Sequence, residues 1–226
     1  MPENDSSSLN GKLFPSSYTV LSSLYSRSGT SVKLLLSSDE QLLLPAEKYA
    51  LLKLREGSEL SRKDLLELKR TEAIFRTKQK AVSLLERRPY TRTALFSRLE
   101  EALFPAEAIA EVMTELEILG VVDDLKYGEN WVLSQLKRKP SGRLLLAQGL
   151  RRKGISREKI EQILDTAYPA EAEDDFCAKA LEKLVRRKIR DRLKLTAALS
   201  RRGFSAPVVR RVIDRFRDEY DLREKR

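Results

Sequence analysis

Leu150-Arg151-Arg152-Lys153-Gly154-Ile155-Ser156 and Leu199-Ser200-Arg201-Arg202-Gly203-Phe204-Ser205 are one phrase written twice, 49 residues apart. A weaker copy, Leu99-Glu100-Glu101-Ala102-Leu103-Phe104-Pro105, stands 51 residues before the first. Apolar residues follow each copy in step: Ile109, Ile160 and Val209, then Val112, Ile163 and Val212. Recurrence at a period near 50 residues marks a single small structural unit used three times. Each phrase reads as the end of a Leu-anchored helix, closed by Gly154 or Gly203 in the left-handed conformation. Ser156 or Ser205 is then placed to accept the unpaired N–H groups of the next helix. Units of this kind stack on their neighbours and act by offering surface to a partner.

Outward from the phrase, the chain reads as helix from Thr77 onward. Helices are expected near 77–87, 91–102 and 105–119, then 124–138, 141–152 and 156–167, then 172–188, 190–201 and 205–220. Pro89, Pro105 and Gly120 supply breaks. Apolar residues recur at spacings of three and four, as in Ile109, Val112, Met113, Leu116 and Leu119. The fold class is therefore mainly α: three three-helix repeats, at 77–122, 123–170 and 171–226, in an elongated tandem array. Residues 1–17 are polar and Ser-rich and read as a flexible tail. Residues 18–76 read as a small β–α module. Runs at Tyr18–Tyr25, Val32–Leu36 and Gln41–Leu44, divided by turns, predict three antiparallel strands that need a helix against them. Pro45-Ala46-Glu47 opens such a helix, which Gly57 ends, and Ser61-Arg62-Lys63-Asp64 resembles a capping box opening the next.

Composition narrows the function. The chain has no histidine and one cysteine, Cys177. It therefore lacks the residues for a zinc site or for a Ser–His or Cys–His catalytic pair. No catalytic centre, metal or cofactor is expected. Cys177, on a predicted helix, reads as packing filler, and a lone cysteine fits a reducing cytoplasm. No apolar run is long enough to span a membrane, and the first residues lack the order of a signal peptide. Asp123-Asp124 reads as helix capping rather than as a metal site, and Glu171 to Asp175 as an acidic helix start. Tyr127 and Trp131, four apart on one face, read as core; stacking against a base is the sharper alternative.

The net charge of +10 is unevenly spread: residues 131–226 hold 26 basic and 14 acidic side chains, while residues 77–130 hold 7 and 10. Lys137, Arg138, Lys139, Arg143, Arg151, Arg152, Lys153, Arg157 and Lys159 face a single acid, Glu158, over 23 positions. Arg186, Arg187, Lys188, Arg190, Arg201, Arg202, Arg210 and Arg211 continue the theme in the next repeat. Cations at helix ends answer the helix dipole, worth about 0.3–1 kcal/mol each. Such an excess exceeds that need and points to phosphates or an acidic protein surface. Three-helix units also scaffold helix-turn-helix readers, so a stand-alone, sequence-independent DNA-binding protein is the alternative.

Gly120-Val121-Val122-Asp123-Asp124, then Tyr127, Trp131, Gly142, Leu146, Leu150 and Lys153-Gly154-Ile155-Ser156, resembles the central signature of the RecX family, bacterial modulators of the RecA recombinase. Arg88-Pro89-Tyr90-Thr91 with Leu95 and Leu99 resembles the family's entry to its first repeat. Glu56-Gly57-Ser58-Glu59-Leu60-Ser61 resembles the N-terminal extension of longer members. Pro140, Gly149 and Gln135 depart from it: many members carry glycine, an acidic residue and a basic residue there. The resemblance implies a right-handed helical array without a catalytic centre. It also implies binding in the groove of the RecA–single-stranded DNA filament, with filament growth, ATP hydrolysis and strand exchange reduced; apart from the resemblance, a monomer is expected.

Overall fold

Val32, Leu34 and Leu36 alternate with more exposed residues along β2 (Ser31–Leu36) and are fully buried. This is the pattern of a sheet with one face against a core. The computed structural model describes residues 17–169, 172–220 and 222. Around β2 lie β1 (Ser17–Tyr25), β3 (Gln41–Pro45) and β4 (Glu59–Ser61), in the antiparallel order β3-β2-β1-β4. The fourth strand was not expected. It is three residues long, with Leu60 alone buried opposite Tyr18, too short to show a period. The helix after β3, α1 (Ala46–Leu51), also stops earlier than expected: Lys53 turns left-handed at φ 50°. Gly57 lies instead in the turn leading to β4, donating its N–H to Val20 O.

The capping box is present at the start of α2 (Arg62–Arg87). Asp64 accepts the Ser61 N–H at 2.9 Å while Ser61 Oγ accepts the Asp64 N–H at 3.2 Å. The Ser61 hydroxyl, donating to the Asp64 carboxylate at 2.6 Å, and then the Ser61 N–H hold that carboxyl below its usual range. Two helices were expected here, dividing near residue 76; one runs through. Thr77 is buried, and its hydroxyl bonds back to Ala73 O at 2.7 Å, so it continues the helix. Ser17 aside, the expected tail lies outside the described residues, as do Ala170 and Glu171, where the second and third repeats were expected to meet.

By proximity the chain forms two units. One runs to Lys80 and includes Phe104–Val112; the other holds Ala81–Leu103 and the chain from Met113. In the first, the sheet packs its inner face, with Tyr49 of α1 and Leu65 and Leu68 of α2, into one core. The second contains α3 (Arg92–Glu101), the latter half of α4 (Ala106–Ile118), α5 (Asp124–Arg138), α6 (Arg143–Arg152) and α7 (Arg157–Ala167). After these come α8 (Glu173–Val185), α9 (Arg192–Ser200) and α10 (Ala206–Arg215). Val132, Leu146, Leu150, Ile160 and Ile163 centre the α5–α7 core. Cys177, Leu181, Leu195, Leu199, Val209 and Val212 centre that of α8–α10. The in-step residues Ile109, Ile160, Val209, Val112, Ile163 and Val212 are all buried. The repeat extends to ion pairs: the first residue of each middle helix is an arginine bonded to an acid on the next. The pairs are Arg92–Glu117 (2.8 Å), Arg143–Asp165 (2.5 Å) and Arg192–Asp214 (2.8 Å).

The repeated phrase does more than cap. Gly154 and Gly203 are left-handed, at φ 78° and 84°. In each turn the next N–H reaches back to the helix: Ile155 N to Leu150 O, and Phe204 N to Leu199 O. Each turn also docks on the start of the preceding repeat's middle helix. Thr91 and Thr93 donate their hydroxyls to Lys153 O (2.8 Å) and Gly154 O (2.9 Å). One repeat later, Gly142 N and Leu144 N donate to Arg202 O (2.8 Å) and Gly203 O (3.2 Å). Carbonyls left over at a helix end thus meet donors at a helix start, threonine hydroxyls in the first joint and backbone N–H groups in the second. A Cβ at Gly154 would stand 2.5 Å from Thr93 Cβ, and one at Gly203 2.3 Å from Leu145 N, so the docking itself requires glycine. Leu103, in the weaker copy, takes the same left-handed turn at φ 61° with its side chain 90% exposed.

Candidate polyanion-binding surface

The docked turn decides which cations meet. Lys139 is three residues from Gly142, and Gly142 N holds Arg202 O, so the end of α5 and the turn after α9 lie together. A cavity of about 540 Å³ opens there, lined by Arg138, Lys139, Lys183, Arg186, Arg187 and Arg202. All six are basic, and no carboxylate lines the space among the described residues. Arg186 bonds Glu182, one turn back on α8. Arg202 is partly buried and donates to Ala180 O at 3.4 Å. Burial, then the neighbouring Arg187 charge, push its guanidinium below the usual arginine value. Lys183 was not among the expected residues. Its spacing of three and four from Arg186 and Arg187, which close the end of α8, is the signal that would have found it.

The remaining expected residues divide into free and engaged. Lys137, Arg151, Arg152, Lys188, Arg201 and Arg210 are exposed and have no carboxylate partner among the described residues. Arg143 is half-buried on Asp165, in the pair that recurs in every repeat. Arg157 bonds Glu161 at 3.2 Å, and Arg211 grips Asp174 through two bonds of 2.8 and 2.6 Å. Lys153 lies 5.5 Å from the ring centroids of both Tyr127 and Trp131 and donates to Tyr127 Oη at 3.2 Å. Such cation–π contacts contribute about 0.5–2 kcal/mol and fix the ammonium in place. The structure thus brings Arg138, Lys139, Arg186, Arg187 and Arg202 together. It does not gather Arg143, Arg157, Lys153 or Arg211 with them.

Tyr127 and Trp131 flank the α5–α7 core, as the spacing suggested. The indole seats over Gly149, where an added Cβ would stand 2.2 Å from Trp131 Cη2. The departure at position 149 therefore makes room for the ring. The acid pair is also accounted for. Asp123 caps α5, accepting from Leu125 N (2.9 Å) and Lys126 N (3.1 Å). Asp124, 6% exposed, accepts Arg92 N at 2.8 Å and Lys159 Nζ at 3.1 Å, joining α3, α5 and α7. Ser156 caps α7, but Ser205 makes no side-chain cap on α10. Among the described residues, no helix is long and apolar enough to cross a membrane.

These features define a class: a tandem three-helix-repeat protein, docked turn to helix start, with a strongly basic C-terminal half. Two family models match, the first three-helix domain of RecX over residues 78–116 and the second over 123–164. The regulatory protein RecX of Chlorobium phaeobacteroides is 34% identical over 135 residues, 59% of this chain and 89% of that protein. That of Bacillus pumilus is 30% identical over 179 residues, 76% of this chain and 66% of that protein. A crystal structure of regulatory protein RecX superposes with a TM-score of 0.73 at 20% identity, covering 87% of this chain and 99% of the other. RecX from Lactobacillus salivarius gives 0.59 at 23% identity, covering 67% and 98%. This chain belongs to the RecX family.

Proposed function

We propose that this protein is a negative, non-enzymatic regulator of the RecA recombinase. It acts in the cytoplasm as a monomer that lodges in the groove of the RecA–single-stranded DNA filament. There it limits filament extension, ATP hydrolysis and strand exchange. Its relatives bear the name regulatory protein RecX. The single observation that carries the reading is the joint between the second and third repeats, where six cations line one cavity with no acid in its lining among the described residues. A surface of this kind suits a groove filled with phosphates and acidic side chains. The exposed cations Lys137, Arg151, Arg152, Lys188, Arg201 and Arg210, without carboxylate partners among the described residues, add to the positive surface of this half of the chain. The mechanism is occupancy: the protein shifts the filament equilibrium by its preference for one filament state over another.

The test is RecA's DNA-dependent ATP hydrolysis with this protein added below stoichiometry. A progressive fall is expected, because one bound molecule halts many subunits. The combined variant R138E/K139E/R187E should lose that inhibition while keeping its helix content. Unchanged hydrolysis, with tight and steeply salt-dependent binding to bare single-stranded DNA, would move the assignment to a stand-alone DNA-binding protein.

A further inference from the structure

The register of the repeats explains why one joint carries a cavity of cations. Position 131 in the second repeat corresponds to 180 in the third, and 153 to 202, both 49 apart. In the second repeat Trp131 and Lys153 occupy this corner together, ammonium over indole. In the third, the same two positions are Ala180 and Arg202. Among the described residues Arg202 has no ring to rest on; it leans on the Ala180 carbonyl and lines the cavity instead. The substitution turns a packed cation into one with donors to spare, since a guanidinium carries five.

A single negative charge would neutralise little of six. Four of the six are arginines, whose planar forks match the oxygens of phosphate two at a time. We propose that the cavity is a site for adjacent phosphate groups, two or three in a row, as found in an oligophosphate or a short run of nucleic-acid backbone. Arg187 and Arg202 grip from the third repeat, and Arg138 and Lys139 close from the second. Burial of Arg202 beside Arg187 leaves a charge that such an anion relieves. Because the lining comes from two repeats, occupancy also ties the joint. The site stands whether or not RecA is the partner, and its test contains no RecA.

Calorimetric titration of the full chain at low salt uses four probes: tripolyphosphate, orthophosphate, oligothymidylate and an oligoglutamate peptide. Tripolyphosphate should bind at least about ten-fold tighter than orthophosphate, a factor equal to about 1.4 kcal/mol. R187Q, at an exposed position, and R202Q should each weaken it by about ten-fold or more, while R217Q, the same charge change in the same repeat, stays within about two-fold. Amide exchange at Gly142 and Leu144 should slow when tripolyphosphate is bound. Oligothymidylate that binds and is displaced by tripolyphosphate identifies the source as nucleic-acid backbone. Tripolyphosphate binding alone identifies a free oligophosphate. Equal affinity for oligoglutamate, an R217Q loss matching that of R187Q, or no tripolyphosphate binding overturns the site.

Discussion

Replacing Gly142 with serine sets two physical effects against each other. Gly142 is the N-cap of α6, with φ −80° and ψ 164°, a conformation open to any residue. Serine is the better intrinsic cap by a few tenths of a kcal/mol, so an isolated helix would gain. The docked turn predicts the opposite. A Cβ at position 142 would stand 2.2 Å from both Gly203 C and Gly203 O, and 2.3 Å from Phe204 N. Carbon atoms rest near 3.5–4 Å, so the joint must open by more than about 1 Å. Those neighbours are backbone atoms held in the left-handed turn and cannot swing aside. Opening breaks the bonds from Gly142 N and Leu144 N, together about 1–3 kcal/mol net, and strains the packing further. We expect G142S to lose about 2–4 kcal/mol. Urea denaturation followed by circular dichroism gives the sign. Amide exchange at Leu144 shows whether the joint is where the loss occurs. A midpoint at or above the wild type, with Leu144 still protected, would refute the docking account.

The Tyr168 hydroxyl is fully buried and has no hydrogen-bond partner among the described residues, while its ring stacks on Phe176 with centroids 5.2 Å apart. Y168F should therefore match or exceed the wild type in thermal stability, by up to about 1 kcal/mol, and a loss above that would show a hidden partner. Cys177 lies in the α8–α10 core with its thiol pushed up to about 12, chiefly by burial. At pH 8 it should react with a thiol reagent only as fast as the third repeat opens; prompt reaction in native buffer would contradict its burial. L103G removes a left-handed leucine, so it should be neutral or stabilising by up to about 1 kcal/mol in thermal melts, and destabilisation would mean the exposed side chain has an unseen role. Arg211, through its hydrogen bonds, holds the Asp174 carboxyl below its usual range. A depressed folded value means the stabilisation is present above the unfolded value, near pH 3.8, and fades as pH falls through the folded one. Acid melts of wild type and D174N should then converge at low pH and separate above it; a constant gap would rule out this linkage.

Much of the fold was legible because the repeat is a period of chemistry as well as of hydrophobicity. Leu150 and Leu199, the left-handed glycines four residues on, and then Ile163 and Val212 are local signals, and the structure keeps each. What escaped was set by distance. A three-residue strand has no period, so β4 was invisible. Thr77 looked like a break because its hydroxyl's partner, Ala73 O, is a property of the folded helix. The basic residues were visible as a group, but not their sorting. Arg143 finds Asp165 across 22 positions and Arg211 finds Asp174 across 37, and no local pattern reveals such pairings. Lys153 was counted with the free cations because its aromatic seat lies on another helix. Conversely, the convergence of Arg138, Lys139 and Arg202 follows from two backbone bonds at Gly142 and Leu144. Backbone pairing between repeats leaves almost no trace in side-chain identity except the glycines that permit it.

The three middle helices begin with Thr91, Gly142 and Asp191, and that sequence of residues amounts to a grammar for extension. Thr91 and Gly142 each receive a turn from the repeat that follows. Asp191 receives none among the described residues and closes its helix with its own carboxylate, accepting Lys194 N at 2.9 Å. A carboxylate there would repel the carbonyls of an incoming turn. Thr91 meets the incoming turn with its hydroxyl and Gly142 with its backbone N–H, while Asp191 presents a carboxylate. The residue that opens each middle helix thus sets what can be received there, separately from the cores that hold each repeat together.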